Sequence, residues 1–370
     1  IFISIAVMAL LIVAAFWYLP ATNPQPAVLI MLPVKNQVQG KDHQWVPLGA
    51  MDQVIQSLVS TPQVQVMDTD YVLNLLRQAG IPREPSAEQI ARIFAVSGAT
   101  LVVESELSGS VGEFRLAYRL HFADHIKRGV LFAESAEALV RELTAVVTAN
   151  LNLGVQQAAK SSRAGFGNEL MAQALESQAN EQWDAARALF ESLKHLEPDN
   201  LGARQSLVNI LLQQQEYDLA LREIEAVLAQ ADTAAAKQAG HFYYLLALTH
   251  TKRNDLVAAL AALNQADTLA KRDSDVLYQG FNAQLRGSIL QQQQAFGPAQ
   301  ESYTQALASH RLLRCSIGMT LTRLQMVELY IAQGDAQLAR EHYTEAKRLI
   351  DEHGLTALQK DLAQVSALLP

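Results

Sequence analysis

Residues 1–19 are apolar throughout, with Ser4 the one strongly polar side chain. As a helix this run is about 28 Å long, close to the hydrocarbon thickness of a bilayer. Trp17 and Tyr18 stand at its end, where aromatic rings favour the membrane interface. Pro20, Pro24 and Pro26 then stop the helix and make residues 20–26 a proline-rich linker. The competing reading is the apolar core of a signal peptide. Its length and the absence of a good small-x-small cleavage site after Trp17 favour a membrane anchor.

The pattern changes at residue 27. Residues 27–34 are a continuous apolar run that predicts a buried strand, and Leu48, Met51, Val54, Ile55, Leu58 and Val59 mark a helical stripe. A short strand is expected over 64–67 and a helix over 71–79, closed by Gly80. Ser86 and Gln89 form a capping box for a further helix that Gly98 ends. After a strand over 101–107, Phe114, Leu116, Tyr118, Leu120 and Phe122 alternate with Arg115, Ala117, Arg119, His121 and Ala123, the period of a half-buried strand. Residues 108–112 supply the turn of that hairpin, and a last helix covers 136–151. These elements predict a small α/β domain with a mixed sheet over residues 27–151.

From residue 167 the chain repeats itself. Trp183, Ala186 and Phe190 recur thirty-four residues later as Tyr217, Ala220 and Ile224, and three more copies centre on Ala259, Ala299 and Ala339. Each copy has a small or β-branched residue in its first helix (Ala174, Val208, Ala247, Gly287, Val327) and a large one in its second (Phe190, Ile224, Leu263, Tyr303, Tyr343). The phrase Glu197-Pro198-Asp199-Asn200 closes the first copy. This is the signature of tetratricopeptide helix pairs, about five of them over residues 167–370. One such pair cannot bury its apolar face, whereas a stack can, and it leaves a concave surface made by the first helices. Asn209, Gln213, Tyr243, His250 and Gln284 are expected on or beside that surface, as a binding face for a protein or peptide. A purely structural solenoid or a dimerisation device is the alternative.

Composition removes several functions. The net charge is −8, and no run of like charges marks a nucleic-acid surface. The one cysteine, Cys315, excludes an internal disulfide and a two-thiolate metal site, and is expected to be a small buried residue. No phosphate loop, dinucleotide fingerprint, zinc-protease motif or nucleophile elbow is present. His121, Asp124 and His125 are the best polar cluster, but His121 falls on the wet face of its strand, so a solvated turn is expected there rather than a metal site. His241, His250, His310, His342 and His353 show no pairing. No catalytic residue, metal or cofactor is expected.

The segments AVLIMLPV, VQVMD, SAEQIARIFAVSGATLVVESELSG and FRLAYRLHF resemble the TolB amino-terminal-like domain, with Ser105 where relatives usually carry glycine. An apolar helix, such a domain and tetratricopeptide repeats, in that order, resemble the C-terminal part of CadC/ToxR-like membrane-spanning winged-helix transcription regulators. The resemblance implies a single pass through a bacterial inner membrane, a periplasmic sensing region and a DNA-binding domain upstream of Ile1. Under it, this stretch contacts the membrane through residues 1–19, no nucleic acid, a protein or peptide partner, and in some settings a second copy of itself. The alternative is an envelope-anchored scaffold that assembles a complex without signalling. A third is the regulatory tail of an enzyme whose catalytic part lies upstream.

Overall fold

The computed structural model describes residues 27–59, 61, 64–151, 165–230 and 236–369. The expected anchor with Trp17 and Tyr18, and the linker 20–26, lie outside the described residues. Within the described residues no helix is long and apolar enough to cross a membrane.

The α/β domain begins with β1 (Ala27–Met31) and β2 (Lys35–Asn36), which run in succession along β4 (Leu101–Ser110). Pro33 lies between them and cannot donate to the ladder, so the strand of the apolar run ends at Met31 and pairing resumes at the polar Lys35–Asn36. A turn of π-helix leads into α1 (Met51–Leu58), and β3 (Val64–Val66) returns parallel to β1. Asp68 caps α2 (Thr69–Gln78) by accepting from the Tyr71 amide. Ser86 and Gln89 make the expected capping box of α3 (Ala87–Ser97), and Gly98 closes that helix in the left-handed region.

The six-stranded sheet has the order β3-β1-β4-β5-β6, with β2 paired to β4 off that path, where β5 is Glu113–Phe122 and β6 is Ile126–Ala133. Neither β2 nor β6 is expected from the sequence. Residues 126–133 lack clean alternation because the apolar Ile126, Val130 and Phe132 stand on the exposed face, while Lys127 and Gly129 share the other face with Leu131. The α4 helix (Ala136–Asn150) packs Leu139, Leu143 and Val147 into the core under the sheet.

The repeats follow as α5 (Gly165–Ala179) with α6 (Trp183–Leu196), α7 (Leu201–Gln213) with α8 (Tyr217–Ala229), and α9 (Ala236–Lys252) with α10 (Leu256–Arg272). Two further pairs, α11 (Val276–Gln292) with α12 (Phe296–Leu312) and α13 (Ser316–Gln333) with α14 (Ala336–His353), complete five, and the last three pairs have the longer helices. The short α15 (Gln359–Ser366) covers the last of them with Leu362 and Val365. The wider spacing of the later copies is therefore taken up by longer helices. Ala186, Ala220, Ala259, Ala299 and Ala339 are all fully buried, as are Ala174, Val208, Ala247 and Val327. At Gly287 a Cβ would come within 2.6 Å of the Tyr303 ring, so the fourth pair crosses at its closest point there. Ala220→Leu is expected to cost about 1–3 kcal/mol through overpacking, whereas Ala229→Leu on an exposed position is expected to cost little. Equal melting temperatures for the two would mean that the crossing point lies elsewhere.

The concave side of the stack is not open. The α/β domain fills much of it and is tied to the repeats by hydrogen bonds along their length. Asn168 of α5 reaches Gln53, and Gln205, Ser206 and Asn209 of α7 reach Asp68 and Asp70. Farther on, Gln65 donates to Asp275 ahead of α11, Ser316 of α13 donates to the Ala95 carbonyl, and Arg92 donates to the carbonyls of His353 and Gly354. Left-handed residues other than glycine close the turns within and between repeats: Glu181, Gln215, Asn254, Ser274, Gln294 and Arg314.

Candidate functional site

The two domains leave a cleft of about 750 Å³ between the start of α2 and the first helices of the repeats. Asp68, Asp70, Tyr71 and Asn74 line it from the α/β side, and Gln178, Trp183, Gln205, Asn209, Gln213, Tyr244, Tyr278, Phe281 and Cys315 line it from the repeats. The volume falls in the range typical of ligand clefts.

Its polar pole is Asp70. One carboxylate oxygen accepts from Gln178 Nε2 at 3.1 Å, and the other from Ser206 Oγ at 3.0 Å and Asn209 Nδ2 at 2.9 Å. Burial, reinforced by the neighbouring Asp68 carboxylate, pushes the Asp70 carboxyl up to about 6 against the pull of these donors. Asp68 is itself engaged by the Tyr71 amide and by Gln205.

Its apolar pole is a connected set of rings. Tyr278 meets Tyr244 edge-on at 5.6 Å and Phe281 at 5.6 Å, and Phe281 approaches Tyr71 at 6.3 Å. Behind them, His241 stacks on Tyr278 at 3.6 Å and hydrogen-bonds Asp275 at 3.0 Å. Burial pushes the Tyr244 hydroxyl up to about 12 and the Tyr71 and Tyr278 hydroxyls well above the usual phenol range, so all three stay neutral. The Tyr71 hydroxyl lies 3.8 Å from the Cys315 sulfur, and burial likewise raises that thiol, which leaves it unreactive. The walls thus offer one carboxylate pole, aromatic faces and amide groups, with Arg77 and Lys252 also among the lining residues.

Of the residues expected to bind a partner, Asn209 and Gln213 line this cleft together. His250 instead sits 3.7 Å from Asp255 at its own repeat turn. Tyr243 and Gln284 are half-buried on α9 and α11 and do not line the cleft. The principal wall residues, Asp70, Tyr71, Tyr244, Tyr278 and Phe281, were not singled out by sequence. One signal was available: Gln205, Ser206 and Asn209 form a polar stripe on α7, which calls for a polar surface opposite.

Two expectations are corrected. His121 is buried, not solvated, because its ring turns to Glu104 at 2.9 Å. That hydrogen bond, with Arg119 on the other oxygen, holds the Glu104 carboxyl below the usual range. His125 stacks on Phe122 and bonds Asp124, so the three do not converge, and no group of three metal-ligating side chains occurs among the described residues. The repeat histidines are also not all unpaired, since His241 has Asp275 and Tyr278, and His342 stacks on Tyr330.

No family model matches the chain, and no curated protein matches it. Among solved structures it is similar to a thermophilic tetratricopeptide protein of Thermus thermophilus, 19% identical, covering 54% of this chain and 99% of that one with a TM-score of 0.42. A signal transduction ATPase with a tetratricopeptide repeat sensor from Pyrococcus horikoshii is 15% identical, covering 65% of this chain and 40% of that one with a TM-score of 0.45. The TPR2AB domain of yeast Sti1 in complex with an Hsp90 peptide is 13% identical, covering 55% and 98% with a TM-score of 0.26. The neighbours are repeat proteins, and the assignment of repeats to this chain rests on its own helix pairs.

Proposed function

We propose that residues 27–369 are the sensing half of a single-pass regulator of the bacterial inner membrane, and that the cleft is where the signal binds. Support comes from the order of apolar run, α/β domain and repeats, and above all from one observation. The cleft is walled by both domains at once, so an occupant touches both and biases how they sit together. The site suits a short peptide segment or partner loop that presents a protonated amine or guanidinium to Asp70 and an apolar group to Tyr244, Tyr278 and Phe281.

Trp183 lines the cleft and gives a direct readout. Blocked tripeptides with a central lysine or arginine between apolar residues are expected to change its fluorescence and to bind at least ten-fold more tightly than the norleucine counterparts. Affinity is expected to fall as pH drops through about 6, where Asp70 takes up its proton. Asp70→Asn and Tyr278→Ala are each expected to weaken binding. Equal affinity for lysine and norleucine peptides would sink the electrostatic reading of the cleft. The alternative, an envelope scaffold without signalling, predicts no DNA-binding domain encoded upstream of Ile1, and sequencing that stretch separates the two.

A further inference from the structure

The sheet ends at β6, and no described residue pairs with its outer edge. The register fixes which groups point there. The Phe122 amide donates to the His125 carbonyl, so in this antiparallel ladder the pairs Leu120–Lys127, Tyr118–Gly129 and Leu116–Leu131 exchange hydrogen bonds. The intervening Ile126, Arg128, Val130 and Phe132 therefore aim their backbone amides and carbonyls outward. These same four residues carry their side chains on the face away from α4. Phe132 is 70% exposed, Ile126 46% and Val130 40%, in a row that a monomer would not be expected to leave bare.

Charge selects the occupant. Arg115 lies across from Phe132, and Arg128 lies across from Arg119 on the same face. The carboxylates of the neighbouring β4 are engaged: Glu104 holds Arg119 and His121, and Glu106 lies 3.8 Å from Lys35. Glu113 and Glu134 stand at the far end, beside the hairpin turn and just past β6, and leave the 126–130 stretch to Lys127, Arg128 and Arg119. Arg115 and Arg128 make no ion pair among the described residues. A chain of net charge −8 thus shows a basic, partly apolar strand edge. A second copy is the poorer match, since β6 against β6 would bring Lys127 and Arg128 of both copies into one ladder whose nearest carboxylate, Glu134, lies beyond its end.

We propose that β6 accepts an added strand from an acidic, extended peptide segment, whose carboxylates meet Arg115 and Arg128 and whose apolar side chains cover Val130 and Phe132. A hollow of about 250 Å³ lined by Ala117, Arg119, Arg128 and Val130 gives one of those side chains a seat. This surface shares no residue with the interdomain cleft, so it stands or falls independently of the reading given for that site.

The test uses the whole chain and a blocked nine-residue peptide, Thr-Glu-Thr-Val-Thr-Val-Thr-Glu-Thr, with a second version carrying lysine for glutamate. Fluorescence anisotropy is expected to show the acidic peptide bound at least ten-fold more tightly, with an affinity that falls as salt is added. Amide exchange at Arg128, Val130 and Phe132 is expected to slow in the complex. Val130→Pro removes an outward donor without breaking a ladder bond, and is expected to abolish binding with little change in melting temperature. Should that variant unfold, Arg115→Glu with Arg128→Glu decides, with an expected loss of ten-fold or more. Equal affinity for the two peptides, absence of binding by both, or a dimer that Val130→Pro makes monomeric would each overturn the proposal.

Discussion

Replacing Gly98 with alanine is expected to prise the α/β domain from the repeats, at a cost of 4 kcal/mol or more on the order expected for backbone overlap in a core. Gly98 ends α3 with φ 71° and ψ 16°, and Gly334 ends α13 with nearly the same geometry, φ 79° and ψ 12°. Alanine in this conformation costs about 1–2 kcal/mol at either place. The surroundings differ. Around Gly334 a Cβ meets nothing within 4 Å, whereas at Gly98 it would overlap the carbonyl oxygen of Leu313. Leu313 is buried in the turn between α12 and α13, next to Arg314 in the left-handed region and to Cys315. A backbone carbonyl there cannot rotate aside, so the whole turn must withdraw from the α/β domain. Thermal melts of Gly98→Ala and Gly334→Ala, with limited proteolysis to detect separated domains, give the comparison. Equal melting temperatures would show that the domains do not pack at that turn.

Asn209→Glu is expected to destabilise the protein by about 2 kcal/mol or more at neutral pH, while Gln284→Glu changes little. Asn209 donates to Asp70, so a glutamate there sets one carboxylate against another already crowded by Asp68. Gln284 makes no hydrogen bond to the α/β domain among the described residues. The pH dependence carries the signature. Asp70 binds its proton more tightly folded, at about 6, than unfolded, at 3.8, so its ionisation costs stability as pH rises from about 4 to 6 and no further above that. In Asn209→Glu the loss should continue to higher pH. In Asp70→Asn it should vanish, and the new amide is able to donate to Gln178 Oε1, which has no partner among the described residues. Melting temperatures from pH 4 to 8 for the three proteins would test this, and parallel curves would dismiss Asp70 as the source.

Local signals in the sequence foretold much of this molecule. The capping box at Ser86, the closing Gly98 and the five buried alanines from Ala186 to Ala339 all follow from neighbours a few residues apart. The cleft does not. Asp70 and Asn209 belong to different domains, and nothing near either one announces the other. Asn209, expected on a binding face, also holds the chain's own α2 through Asp70, a tie that no residue near it announces. His121 fails for a similar reason: alternation puts it on the open face, but Glu104 on the adjacent strand draws it under. The β6 strand is not legible because Val130, Leu131 and Phe132 put apolar side chains on both faces, which erases the alternation by which strands are recognised.

The ties between the domains also govern how the chain is assembled. A free solenoid adds repeats one after another, each leaning on the last. Here Gln65 waits for Asp275, 210 residues later, and Arg92 for Gly354, 262 residues later. During synthesis the α/β domain is complete long before its partners emerge, so it serves as a mould onto which the helices close in turn. The last repeat is consequently fastened at two points, to its predecessor and to α3. A molecule lacking α3 should release its C-terminal helices first, whereas the intact chain should unfold in a single cooperative step.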